Sequence, residues 1–290
     1  MPTTINSGFA TLLGWQGLSS NQESIAIARK RDLVSYFDRT FDMAEDVFAV
    51  GSYARDTMSR EKDIDFMAIM EAYGEDKYWD RYKSDSSKFL YWVRNRLNDR
   101  YPNTKVSSRQ ICVKLDFTEI VTDITPGFLR KGGGYLIPDG KGGWMATNPP
   151  FHKVFIDDAD ANHDYDLKDM VKILKYWNSR NSHILLSFHM ELLTEVTYRN
   201  GKIASNKAFA MKEALRCMPQ HLRVSTPDPW EPGENVSNYL SAQDRKTVID
   251  MLMGDVARAE RALELSSAGR VREAFALWDE VFRGGFPSYG

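Results

Sequence analysis

Cysteine and histidine are scarce: the 290 residues include 2 cysteines and 5 histidines. Cys112 and Cys217 cannot supply the four ligands of a structural zinc centre. His152, His163, His183, His189 and His221 show no HxxxH or HExxH spacing. A metal site would therefore have to be built from carboxylates, and the two thiols read as small buried apolar groups in a reducing compartment. No stretch approaches the ~20 apolar residues that cross a bilayer. The opening MPTTINSGFATLLGWQG lacks the basic start and apolar run of an export signal, so the expectation is a cytoplasmic protein with no membrane association. An excess of charge of one sign is missing too. Lys+Arg 38 against Asp+Glu 40 gives a net charge of −2, which excludes a global cationic field for non-specific nucleic-acid binding. There is no internal repeat and no GxxxxGK[ST] loop.

What is present is an ordinary folding composition, 42% hydrophobic and 27% charged, on a chain longer than the usual single domain of roughly 100–200 residues. Ser20-Asn21-Gln22-Glu23 has capping-box form, and Ile25, Ala28, Leu33, Val34 and Phe37 follow at roughly helical spacing, which predicts a helix over 21–40. Val47-Phe48-Ala49-Val50 reads as a short strand that runs into a Gly51-Ser52 turn and a short helix. Asp63-Ile64-Asp65-Phe66-Met67-Ala68-Ile69-Met70 reads as a second strand, acidic at its start and apolar after it. Ile111–Ile124 alternates as one long strand or two consecutive ones, with Asp123 near its end. The glycine-rich stretch 131–144 centres on Pro138-Asp139-Gly140 and predicts a hairpin or extended loop.

Helical patterns dominate after Asn148-Pro149-Pro150. Leu167, Met170, Val171, Leu174 and Trp177 form one apolar stripe, which places Trp177 in the core, while Lys168, Lys172 and Lys175 share a neighbouring face. As bare residues these lysines read as solvated. Segments 184–197, 206–218 and 243–267 also read as helices, and Pro227 to Gly233 as a rigid non-helical connector. The expected division is a catalytic lobe over 1–150 that includes the N-terminal helix, a helical lobe over 151–283, and a mobile tail over 284–290.

Asp63 and Asp65 project to one face of their strand, because residues i and i+2 point the same way, and two carboxylates there repel unless a cation lies between them. A third carboxylate on an adjacent strand, supplied by Asp123, completes a donor set suited to two Mg²⁺ ions, with Mn²⁺ as a substitute. Gly51-Ser52 at a strand-to-helix turn adds backbone N–H groups and a small hydroxyl that can cradle phosphate oxygens. A bare DxD or a bare Gly-Ser turn is commonplace; their order along the chain is what points to a site.

Gly51-Ser52-Tyr53-Ala54-Arg55-Asp56-Thr57 followed by Asp63-Ile64-Asp65 resembles the GS…DxD signature of the DNA polymerase β-like nucleotidyltransferases. Asp123-Ile124-Thr125-Pro126-Gly127-Phe128 resembles the third-carboxylate strand of the bacterial cGAS/DncV-like group, the CD-NTases of CBASS antiphage systems. Leu174-Lys175-Tyr176-Trp177-Asn178, Ser187-Phe188-His189-Met190-Glu191, and Asp228-Pro229 with Asn235-Val236 are similar to later stretches of that group. The likeness covers roughly residues 20–265.

The resemblance implies a mixed α/β fold, with a polymerase β-like sheet lobe and a helical lobe around a deep cleft. It implies a synthase that joins nucleoside triphosphates, ATP, GTP or pyrimidine nucleotides, into a cyclic di- or trinucleotide messenger. In that reading Asp63, Asp65 and Asp123 hold the metals and Gly51 and Ser52 bind phosphates. Lys175 and Ser187 contact the triphosphate, and Asn148 either reads a base edge or caps a helix. A template-free RNA nucleotidyltransferase of the poly(A)- or CCA-adding kind shares the same carboxylates and is the alternative reading. Members of the group joined to other molecules through a C-terminal residue make a ubiquitin-transfer-like partner acting on Gly290 a further expectation.

Overall fold

Thr4 and Ser7 close a capping box, and the helix they start, α1 (Ile5–Gly14), buries Ile5, Phe9 and Leu12 along one side. In this computed structural model, which describes residues 1–59, 63–73 and 78–290, the elements follow in a mixed order. The next are α2 (Ser20–Thr40), β1 (Phe48–Val50), α3 (Gly51–Ala54), β2 (Asp63–Met70), α4 (Tyr78–Tyr82) and α5 (Ser86–Arg100). Five strands come after them, β3 (Lys105–Ser108), β4 (Val113–Asp116), β5 (Val121–Leu129), β6 (Tyr135–Pro138) and β7 (Trp144–Thr147). The rest is helical: α6 (Pro149–Ala161), α7 (Leu167–Arg180), α8 (Ser187–Tyr198), α9 (Lys207–Leu222), α10 (Ala242–Ser267) and α11 (Val271–Val281). Among the described residues no helix is long and apolar enough to cross a membrane.

The chain divides into two compact units. One holds residues 18–55 and, of the described residues, 63–73 and 78–153; the other holds 1–17, 56–59 and 154–290. The first is built on a mixed sheet of order β1-β2-β5-β4-β3, with β6 and β7 continuing from β5. β2 and β5 are parallel, and every other pairing is antiparallel. From Phe66 to Met70 every residue of β2 is buried, as a strand covered on both faces requires, and only Asp63 and Asp65 at its start escape full burial. The expected long stretch 111–124 resolves into β4 and β5, and the glycine-rich region forms the β6–β7 hairpin.

The helical unit packs around one core that joins α1, α7, α8, α9, α10 and α11. α7 is its centre: from Ile173 to Asn178 every residue is buried. Trp177 lies in the core, as its place on the stripe predicts, and its indole N–H donates to Asp255 at 2.9 Å. Asp255 is itself fully buried and also accepts from Arg258 and Arg283.

Two expectations are corrected here. Residues 1–17 belong with the helical unit, because the Phe9 ring packs edge-on to Trp278 at 4.8 Å and lies 5.1 Å from Phe286. Residues 284–290 are not a mobile tail. Phe286 is 5% exposed and stacks on Phe282 at 5.6 Å. The Gly285 carbonyl accepts from the Tyr176 hydroxyl at 3.0 Å, and the Gly290 N–H donates to the Pro2 carbonyl at 3.2 Å. Burial of an aromatic ring outweighs the freedom of a glycine-rich end. Phe286→Ala is expected to lower unfolding stability by about 3–5 kcal/mol in urea titration, the usual range for emptying a buried phenylalanine site; an unchanged midpoint would mean that the segment is not docked.

Candidate active site

The site is set by strand register. In the parallel pair β2–β5, Asp65 lies opposite Asp123, and Asp63 opposite Val121. On the other edge of β2, Val50 of β1 lies opposite Asp65, so the chain leaves β1 beside that carboxylate. Gly51 follows with φ +66, a backbone conformation that L side chains rarely adopt. A Cβ there would come within 2.0 Å of Asp65 Oδ2, so the turn closes only on glycine. Gly51 and Ser52 begin α3, and Tyr53 anchors it: its hydroxyl donates to Glu23 Oε1 on α2 at 2.6 Å. Burial, then the hydrogen bond and charge of Glu23, push the Tyr53 phenol up to about 12, so it stays a donor at neutral pH.

Asp123 is the most telling of the three for its surroundings, with one buried oxygen and a basic residue across the next strand. Burial, then the nearby Asp63 charge, raise its pKa, opposed by a hydrogen bond with the Cys112 thiol and by Lys114 and Arg109. Lys114 lies opposite Asp123 across β4–β5. Asp123 Oδ1 is buried without a hydrogen-bond partner. An orphaned carboxylate oxygen beside two further carboxylates suits a hard divalent cation, whose ligands are oxygens. Among the described residues no group of three or more His, Cys, Asp or Glu side chains forms a ready-made cage.

The remaining expected residues are spread over both units. Asn148 caps α6: its Oδ1 accepts from the Phe151 N–H at 3.2 Å. Ser187 is exposed in the first turn of α8. Lys175 is only 5% exposed, and its ammonium donates to Glu191 Oε1 at 2.5 Å and to the Thr57 carbonyl at 3.0 Å. The expectation gave that ammonium to a triphosphate; the structure gives it protein partners. Lys168 and Lys172, expected to be solvated, are largely covered and pair with Asp157 at 2.6 Å and Asp56 at 2.9 Å. The acceptors of all three lysines come from segments that the spacing along α7 cannot reveal.

Sequence reasoning missed Cys112 and Lys114 as neighbours of Asp123. The signal was present in Ile111-Cys112-Val113-Lys114-Leu115, whose alternation sends Lys114 to the face opposite Val113 and Leu115. Thr57 and Glu191 were also missed. A buried glutamate inside Met190-Glu191-Leu192-Leu193 is the clue there.

The profile of the family described as Second Messenger Oligonucleotide or Dinucleotide Synthetase domain matches residues 4–160, more than half of the chain. The chain belongs to that family. Its curated relatives include cyclic nucleotide synthases. A cyclic AMP-AMP-AMP synthase of Acinetobacter sp. is 27% identical over 265 residues, 83% of this chain and 72% of that protein. A probable cyclic nucleotide synthase of Bacillus cereus is 26% identical over 200 residues, which is 66% of this chain and 59% of that protein's length. Among solved structures, Escherichia coli CdnC in complex with a HORMA protein superimposes with a TM-score of 0.80 at 19% identity, covering 98% of each chain. Bradyrhizobium diazoefficiens CdnG in complex with GTP gives 0.74 at 15% identity over 97% of each chain. These structures bear out the mixed α/β CD-NTase fold.

Gly51→Ala is expected to displace Asp65 and lower nucleotide incorporation by about a hundredfold or more, the scale at which misplaced reacting groups are felt. Gly201→Ala, where an added Cβ meets nothing within 4 Å, is the control and is expected to stay within about twofold of wild type. Equal activity in the two variants would contradict the close-packed turn.

Proposed function

We propose that this CD-NTase joins nucleoside triphosphates into a cyclic oligonucleotide, transferring the nucleotidyl group at Asp63, Asp65 and Asp123 with release of pyrophosphate. The observation that supports it most is the register that sets Asp65 beside Asp123 and brings Gly51 against Asp65. Adenine nucleotides are inferred as substrates because one relative is a cyclic AMP-AMP-AMP synthase and CdnC was solved with ATP. GTP was solved with CdnG and is the second candidate. A regulatory protein partner belongs to the same reading, since CdnC was captured with a HORMA protein.

The chain's own residues account for most of the chemistry. The Gly51-Ser52 turn presents N–H groups and a hydroxyl to the donor's β- and γ-phosphates. Asp63, Asp65 and Asp123 are the oxygen donors for Mg²⁺, and the orphaned Asp123 Oδ1 is the atom least satisfied without one. The three carboxylates would hold divalent ions there, which when bound would offset the triphosphate charge and make an attacking sugar hydroxyl more acidic. The sheet holds these groups on rigid strands, so that a 2′- or 3′-hydroxyl meets the α-phosphate in line with the departing pyrophosphate. A linear product returned with its ends exchanged closes by the same step. Ser187, exposed in the first turn of a twelve-residue helix, suits a phosphate contact, and Asn148 serves first as a helix cap.

The test incubates the full chain with each labelled nucleoside triphosphate, singly and mixed, with Mg²⁺ or Mn²⁺ and no RNA. Products are then treated with phosphatase and analysed by mass spectrometry. A phosphatase-resistant cyclic product that contains adenine is expected. Label appearing only in added RNA would overturn the proposal in favour of a tailing enzyme.

A further inference from the structure

The sheet that holds the carboxylates carries a polar face beyond them. Residues directly opposite each other in a sheet share a face, and the register aligns Val50, Asp65, Asp123, Lys114 and Ser107 in one row across β1, β2, β5, β4 and β3. Alternation puts Asp116 on the same face two residues after Lys114, with Lys105 opposite it. The other face of β3 and β4 is closed, with Val106, Val113 and Leu115 buried. Lys114, Asp116 and Ser107 are half-buried, and Lys105 is exposed. A cation thus stands in the row next to the third carboxylate, on the side away from the Gly51-Ser52 turn.

That side has a chemical meaning. In phosphoryl transfer the attacking and leaving oxygens lie roughly in line through the phosphorus. With the donor's β- and γ-phosphates at the turn that follows β1, pyrophosphate departs toward β1 and the attacking hydroxyl enters from the flank of β4 and β3. A bond forms from that oxygen to the α-phosphorus, the bond from the α-phosphorus to pyrophosphate breaks, and the hydroxyl proton passes to solvent. The acceptor is itself a nucleoside triphosphate or a linear product, an anion that must be held on this flank. β4 is three strand spacings from β1, about 14 Å, so Lys114 addresses a different anion from the one in the turn. Its Nζ lies 3.1 Å from Asp116 Oδ1, and both side chains are partly open to solvent. Such a pair contributes only ~0–1 kcal/mol. The ammonium can therefore exchange it for a phosphate, and Asp116 keeps Lys105 opposite.

We propose that Lys114 binds the acceptor: its ammonium takes a phosphate oxygen of the nucleotide, or of the linear intermediate, whose sugar hydroxyl attacks beside Asp123, with the Ser107 hydroxyl next to it on β3. The proposal rests on the phosphate-binding reading of the Gly51-Ser52 turn and extends it. Donor and acceptor are then held by different residues, on opposite flanks of one row of the sheet.

The test uses two nucleotides that each play one part. Dideoxy-ATP has no 2′- or 3′-hydroxyl and can only donate; α,β-methylene-ATP keeps its hydroxyls, cannot release pyrophosphate and can only accept. With the full chain and Mg²⁺ the pair gives one linear dinucleotide, and varying each in turn gives a separate KM. Lys114→Met keeps the length of the side chain and removes its charge. It is expected to raise the acceptor KM about tenfold, the lower end for a hydrogen bond to a charged group, and to leave the donor KM within about twofold. Lys114→Arg keeps the charge and is expected to raise the acceptor KM less than about threefold. Calorimetry with Mg²⁺ reads binding without turnover. The wild type is expected to take two molecules of α,β-methylene-ATP per chain, and Lys114→Met to hold one as the wild type does and the other about tenfold more weakly. Equal rises in both KM values, a rise in the donor KM alone, or no change in either would overturn the proposal, as would two sites of unchanged strength in Lys114→Met. Ser52→Ala separates this proposal from the reading on which it rests: it is expected to raise the donor KM and spare the acceptor KM. An unchanged donor KM there would count against the phosphate-binding turn rather than against Lys114.

Discussion

The parallel pairing of β2 with β5 is the constraint on which the rest depends. It sets Asp65 opposite Asp123, and the antiparallel pairing of β1 on the other edge sets Val50 opposite Asp65. A slip of one residue in either pair would turn the carboxylates to the wrong face. Slippage is opposed by the charged start of β2, which a shift would draw into the covered part of the sheet beside the run from Phe66 to Met70 that is buried throughout. Burial thus resides in the second half of β2 and charge at its start. The strand that must be apolar to stay in place carries its charges where burial is incomplete.

The close approach of Gly51 to Asp65 follows from the same register. Because β1 ends beside the carboxylate, the chain must turn away at once, and only a residue without Cβ at positive φ fits against Asp65 Oδ2. The Gly51-Ser52 turn and the start of β2 are therefore one packed feature. Tyr53 secures that feature through Glu23. Within the helical unit, the buried Lys175–Glu191 pair holds Thr57.

Much of this was legible in the residues. β2 was read with its bounds intact, because an acidic pair followed by an apolar run has one simple meaning. α2, α8, α9 and α10 were read to within a few residues from caps and periodicity, and Trp177 was correctly placed in the core. Other parts were not legible, for identifiable reasons. α1 carries Gly8 in its middle, which weakens the helical signal. The structure explains that glycine, since a Cβ there would come within 2.9 Å of the Phe286 ring. The two misread ends of the chain thus account for each other. α5 hides Phe89, Leu90, Val93 and Leu97 among charged residues. Lys175 reads as a solvated lysine until its partners, from loop and neighbouring helix, are in view. The three carboxylates stand out in the sequence by their order; the neighbours around them come from tertiary contacts.

The central claim is that the carboxylates at the start of β2 carry the chemistry while the apolar half of the strand carries the fold. The most direct test is Asp63→Asn with Asp65→Asn, which removes both charges and nearly preserves shape. Incorporation of labelled nucleotide with Mg²⁺ is followed beside thermal unfolding. The account predicts loss of incorporation by more than about a hundredfold, with a midpoint within a few degrees of wild type. A folded double variant that still incorporates nucleotide would contradict it.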